Sequence, residues 1–227
     1  MPTDNLSDLV EKLKRQLQYF QSLGVEGLNI PWERHRVAPA NQKRELFHQL
    51  QQEVARCQRC SLCLTRKTPV LGEGDVNAQL MFIGEAPGYW EDVKGRPFVG
   101  KAGQKLTDII RAMGLSRQEV YITNIVKCRP PNNRDPKTEE IESCRNYLLQ
   151  QINIIEPKVI CALGTFSAQS LLNSSLPISQ LRGKFWDYHG IKLMATFHPA
   201  FLLRNPYKKG ETWEDMKKIK AYLQQES

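Results

Sequence analysis

The chain is poor in the features that membranes and export require. No apolar run comes near the ~20 residues that span a bilayer. The opening Met1-Pro2-Thr3-Asp4-Asn5 lacks the basic-then-apolar order of a secretion signal. The cytosol is therefore the expected compartment. No glycine loop is followed by Gly-Lys-Ser/Thr, which removes the phosphate loop of nucleotide hydrolases. With four histidines and no evident Ser–His–Asp set, acyl transfer is poorly served. No second, separate C-x-x-C pair accompanies the one near residue 57, which counts against a simple zinc ribbon. Acidic residues are also short, 24 against 32 Lys and Arg, giving a net charge of +8. Such a positive field suits a polyanion such as nucleic acid, although an excess of solubilising lysine gives the same count.

The stretch from Gly84 to Gly103 organises what is present. It follows the apolar run Leu80-Met81-Phe82-Ile83, short enough for a buried strand, and leads into a helical pattern over Gln104–Met113. A strand, a glycine-rich loop and a helix make half of a βαβ unit. Ligands sit beyond the carboxyl ends of such strands. The pattern repeats downstream, with strands over 120–126, 158–163 and 191–197 and helices over 137–155, from 165 to 172 and over 212–225. The expected fold is α/β, a three-layer α/β/α arrangement around a central four-stranded parallel sheet. Residues 1–50 read as an N-terminal helical extension and linker, with helical spacing over 4–24, a linker to Asn41 and a second helix over 42–56; the main domain is expected at 51–227. Sequence separation does not prevent Gly84–Gly88, Asn124, Gly164 and His198 from meeting at one sheet edge.

Six cysteines in a cytosolic chain point to metal ligation or reactive thiols before disulfides. Cys57-x-x-Cys60 places two thiolates within reach of one metal centre, zinc or iron–sulphur, and Cys63 repeats the interval. Cys128 and Cys144 are further candidates, or else ordinary buried thiols. Cys161, inside the apolar run Val159–Leu163, fits the buried-thiol reading best. At the sheet edge, Phe98 can stack on a planar ring, Asn124 offers a donor and an acceptor on one amide, and His198 can donate to an oxygen that gains charge.

Gly84-Glu85-Ala86-Pro87-Gly88-x-x-Glu91-Asp92-x-x-Gly95-Arg96-Pro97-Phe98-Val99-Gly100-x-Ala102-Gly103 resembles the first motif of the family 4, iron–sulphur uracil-DNA glycosylases. The resemblance continues through Cys57-x-x-Cys60, Thr123-Asn124-Ile125-Val126-Lys127-Cys128-Arg129-Pro130-Pro131, Cys144 and His198-Pro199-Ala200-Phe201-Leu202-Leu203-Arg204. It implies a uracil-DNA glycosylase-like fold and a [4Fe–4S] cluster held by Cys57, Cys60, Cys128 and Cys144. It also implies a monofunctional enzyme of DNA repair that hydrolyses the N-glycosidic bond of uracil in DNA, single- or double-stranded. By resemblance the uracil pocket comprises Gly84, Glu85, Ala86, Phe98, Asn124 and His198, with His198, Glu85 and Asn124 taking part in catalysis. Leu202, Leu203 and Arg204 are then expected in a strand-to-helix loop that enters the DNA. Lys94, Lys101, Arg129 and Arg134 are expected at phosphates. The segment Arg129–Pro136 has no histidine, unlike the insert of the branch that traps DNA covalently, so ordinary turnover follows. The competing expectation is a non-catalytic nucleic-acid-binding or polymerase-associated module with a cysteine-held metal. Either way, a monomer is expected, with residues 1–50 free to engage a protein partner.

Overall fold

The computed structural model describes residues 40–225. The helix expected over residues 4–24 and the linker expected after it, as far as residue 39, lie outside the described residues. In chain order the elements are α1 (Ala40–Ala55), β1 (Glu73–Gly74), β2 (Leu80–Gly84), α2 (Tyr89–Lys94), α3 (Lys101–Ala112), β3 (Tyr121–Asn124), α4 (Thr138–Ile155), β4 (Val159–Leu163), α5 (Thr165–Leu172), α6 (Ile178–Leu181), β5 (Phe185–Tyr188), β6 (Ile191–Thr196), α7 (Pro199–Arg204) and α8 (Lys209–Gln225). Among the described residues no helix is long and apolar enough to cross a membrane.

Among the described residues six strands form one sheet, in the order β1-β3-β2-β4-β6-β5. The central four, β3-β2-β4-β6, are parallel, as the alternation of strands and helices implies, and β2 and β4 are buried throughout. Two edge strands are additions to the four expected: β1 pairs antiparallel with β3, and β5 antiparallel with β6. β5 and β6 form a hairpin whose two turn residues, His189 and Gly190, both have positive φ, 51° and 78°.

Register decides which side chains meet. Phe82, Ile122, Cys161 and Met194 stand abreast across neighbouring strands and join one core with Leu106 and Ile110 of α3 and Met216 and Ile219 of α8. Cys161 thus behaves as a small core residue, and burial holds its thiol far above the usual range. The alternate side chain, Tyr121, points to the opposite face, where Phe47 of α1 packs edge-on at 5.6 Å and Gln151 of α4 donates to its hydroxyl at 2.8 Å. Because α1 begins at Ala40 and buries Leu50 and Val54, the division expected at residue 50 falls inside a helix that packs on the sheet domain.

The chain steps from β2 to β3 on one side and then returns to β4 on the other. That reversal opens a crevice beyond the strands' carboxyl ends. The loop after β2 stays joined to the one after β3: Ile125 N donates to Gly84 O at 2.9 Å and Val126 N to Glu85 O at 3.1 Å.

Candidate active site

A cleft of about 630 Å³ lies at those strand ends, lined among others by Glu85, Ala86, Phe98, Asn124, Gly164, His198 and Arg204. Its walls come from the ends of β2, β3, β4 and β6, so residues more than a hundred positions apart share one space. The Phe98 and His198 rings lie 5.7 Å apart at 36° and border the slot together. Gly84 makes the arrangement possible, since a Cβ there would collide with Asn124 Oδ1 and stand 2.5 Å from the Phe98 ring.

Phe98 is held in a left-handed conformation, φ 51°, that side chains seldom adopt. The surroundings over-determine it. Arg117 donates to Pro97 O at 2.8 Å and Phe98 O at 3.2 Å, and its own position is fixed by Glu73. Glu91 Oε1 accepts from Val99 N at 2.8 Å and Gly100 N at 2.9 Å. The backbone of Phe98 also presses on Gly103 of α3, where any Cβ would overlap its carbonyl. Arg117 and Glu73 carry no motif in the sequence; their part arises only because the fold brings them beside the Phe98 turn.

Asn124 is 2% exposed and its Oδ1 has no hydrogen-bond partner within the protein. A buried acceptor left unpaired costs about 1–3 kcal/mol, so this atom is set for something the free protein does not supply. Beneath it, the fully buried Lys127 donates to Asn124 O at 2.5 Å and to Thr123 Oγ1 at 2.9 Å. Burial brings Lys127 down to about 7.

His198 caps α7: its Nδ1 accepts from Ala200 N at 3.2 Å. The neutral ring therefore carries its proton on Nε2 and offers a donor. Burial, assisted by the Arg204 charge and opposed by Glu91, lowers its pKa to about 4, so the imidazole is neutral at physiological pH. Glu85 moves the other way: burial, with the like charge of Asp135, raises it to about 7.

The residues expected to meet DNA divide. Pro199–Arg204 is a short helix rather than a loop. Its turn sends Leu202 inward, 1% exposed, where it lines a second cavity together with Ile109 and Met216, so Leu202 is not available as a wedge. Leu203 is 45% exposed, and Arg204 lines the cleft. Arg134 is engaged by Glu140, with two bonds of 2.9 and 2.6 Å that help to fix the start of α4. Arg129 stands over the Tyr89 ring at 5.1 Å, while Lys94 and Lys101 are exposed.

On the side of α1, four cysteines from three segments approach one another, with Cys63 also near Cys60. Cys60 feels Cys57, Cys128 feels Cys144 and Cys60, and Cys144 feels Cys60 and Cys57. Burial raises the thiols of Cys60, Cys144 and Cys128, the last to about 11. Donors face the sulfurs: Arg66 Nη1 lies 3.0 Å from Cys128 Sγ, and Lys127 N lies 3.4 Å from Cys144 Sγ. No group of three His, Cys, Asp or Glu side chains among the described residues is arranged to hold a single metal ion.

Residues 71–218 match the family model described as "Uracil DNA glycosylase superfamily". Curated relatives share close to half their residues with the chain. The type-4 uracil-DNA glycosylase of Saccharolobus solfataricus is 48% identical over 180 residues, 75% of this chain and 83% of that protein. That of Archaeoglobus fulgidus is 43% identical over 183 residues, 77% and 92% of the two chains. That of Thermotoga maritima is 43% identical over 188 residues, 81% and 98%. Fold, cleft and relatives agree: the chain belongs to the type-4 uracil-DNA glycosylases of the uracil-DNA glycosylase superfamily.

Proposed function

We propose that the cleft receives one uracil extruded from DNA and that the protein hydrolyses its N-glycosidic bond, leaving an abasic site. Extrusion costs a few kcal/mol of stacking and pairing. The observation that carries the reading is the unpaired Asn124 Oδ1 beside the Phe98 ring. Uracil brings an N3–H for that oxygen and a flat face for that ring, whereas cytosine sets an N3 lone pair where that N–H would be.

As the bond to deoxyribose breaks, negative charge collects on the departing base. The Nε2–H of neutral His198 is the donor for uracil O2, and a neutral donor at a helix start gains strength without carrying a proton away. Glu85 stands where it can orient the attacking water or offset the sugar's positive charge once ionised. Arg204, Lys101 and Arg129 supply cations for phosphates, and exposed Leu203 fills the space the base vacates.

Cys57, Cys60, Cys128 and Cys144 would hold a [4Fe–4S] cluster. Arg66 and the Lys127 backbone N–H, directed at the Cys128 and Cys144 sulfurs, support that assignment. When bound, the cluster cross-links the end of α1, the segment after β3 and α4, and the chemistry stays with the cleft residues. In this reading the chain acts as a cytoplasmic monomer, and a protein partner is engaged through the N-terminal region, residues 1–50.

The test is incubation of purified protein with uracil-containing oligonucleotide. Free uracil and an intact strand bearing an alkali-labile site are expected. No uracil release, or cleavage of the strand without alkali, contradicts the reading.

A further inference from the structure

One cluster is not absorbed by the cleft's chemistry. Helix α2, within the glycine loop, exposes two adjacent aromatic rings, Tyr89 at 44% and Trp90 at 56%. Large rings in water cost hydration free energy, and here two meet edge-on with centroids 5.2 Å apart. Cations lie over the Tyr89 ring, Lys67 Nζ at 5.5 Å and the Arg129 guanidinium at 5.1 Å from its centre, which leaves Trp90 the more open of the two rings. The cluster joins the cleft's lip. Arg129 gives its Nε to Asn133 Oδ1 at 2.7 Å, and Asn133 lines the cleft. On the other side Trp90 lies against Gly100, with 3.8 Å from Cδ1 to the place a Cβ would take. Gly88 and Glu91, immediately around the pair, line the cleft themselves. The helix is also anchored, because buried Asp92 accepts from Lys67 N at 2.9 Å.

We infer that Tyr89 and Trp90 form a stacking platform for an unpaired nucleotide neighbouring the extruded base, with Lys67 and Arg129 at its phosphates. Exposed rings interleaved with cations along a groove bind single strands by base stacking, tolerant of sequence because every base has a π face. A base still in a duplex stacks on its neighbours and has no face to give. The platform thus favours single-stranded or locally opened DNA. It rests on the glycosylase reading for the path of the DNA past the cleft, but the two fail separately.

The test uses a short, uracil-free thymidine oligonucleotide, single-stranded or paired with its complement. Binding is followed by tryptophan fluorescence and by the anisotropy of a labelled strand. In the wild-type protein the single strand should quench fluorescence, and Trp90→Leu should remove most of that quench. The double variant Tyr89→Leu/Trp90→Leu should weaken single-strand binding roughly five- to hundredfold, with a much smaller loss on the duplex. Trp90→Phe, which keeps a stacking ring, should bind nearly as wild type, a result that separates stacking from a fault in folding. Unchanged single-strand affinity in the double variant, or equal losses on single strand and duplex, overturns the platform. Quenching by the single strand in a protein that released no uracil would sink the glycosylase reading and leave the platform standing.

Discussion

The cleft and the cysteine region are built on different terms. At the cleft, the working residues are fixed by other parts of the protein: the Phe98 turn by Arg117, Glu91 and Gly103, the Asn124 backbone by Lys127, and the His198 ring by the start of α7. The slot is complete without its ligand, which is what preorganised stabilisation of a charged leaving group demands. The cysteine region is organised around the cluster proposed for it. Arg66 reaches Cys57 O at 2.8 Å and Cys128 Sγ, and the four thiols come from three segments that the cluster would tie together. Damage to the first region should therefore cost rate, and damage to the second should cost stability.

Substitutions can break that comparison. The largest effect is expected from His198→Ala, which removes the donor proposed for uracil O2: single-turnover uracil release should fall by roughly 10²–10³, while the lost cap on α7 lowers the melting temperature by only a few degrees. Cys128→Ser should do the reverse. Visible absorption and several degrees of melting temperature should be lost, while the protein that remains folded releases uracil at a rate within a few-fold of normal. A large rate loss with full colour and stability in Cys128→Ser would erase the distinction.

Arg117→Ala sharpens it from the side of positioning. Without the guanidinium under Pro97 O and Phe98 O, the left-handed turn at Phe98 loses its tether. The rate should drop about tenfold or more, as misplaced groups cost in a preorganised site. Arg117→Lys should recover only part, because a lysine cannot reproduce the forked contacts to Glu73 and two carbonyls.

Glu85 gives a pH signature. Its native pKa of about 7 lies above the ordinary 4.5, so the native state holds a proton that the unfolded chain has released. Its contribution to stability is thus present below about 4.5 and lost as pH rises to about 7. Glu85→Gln should raise the melting temperature at pH 8 and leave it unchanged near pH 4. The same substitution should flatten any acid limb near pH 7 in the rate profile if the ionised carboxylate assists the reaction. His198, lowered to about 4, contributes no limb in that range. The smallest rate effect is expected at the wedge. Leu203→Ala should slow release from duplex DNA a few-fold at unchanged stability, whereas Leu202→Ala should cost about 2–5 kcal/mol of stability as a core truncation.

Much of this was legible in the sequence because the signals were local. Leu80–Ile83, Val159–Leu163 and Ile191–Thr196 are apolar runs of strand length, and each is followed by a loop carrying a functional residue. What stayed hidden depends on tertiary context. β1 is two residues long and has no period to detect. β5 could have been found from His189-Gly190, a two-residue turn between Phe185–Tyr188 and the next strand. The inward turn of Leu202 follows from helix periodicity once Pro199–Arg204 is helical, since adjacent residues on a helix face different sides. Arg117 and Lys127 position Phe98 and Asn124 through contacts no spacing rule encodes.

The most direct measurement is a crystal structure with free uracil bound. The account predicts the ring flat against Phe98, N3–H on Asn124 Oδ1 and O2 facing His198 Nε2. Uracil seated elsewhere, or Asn124 Oδ1 still without a partner in the complex, would contradict it.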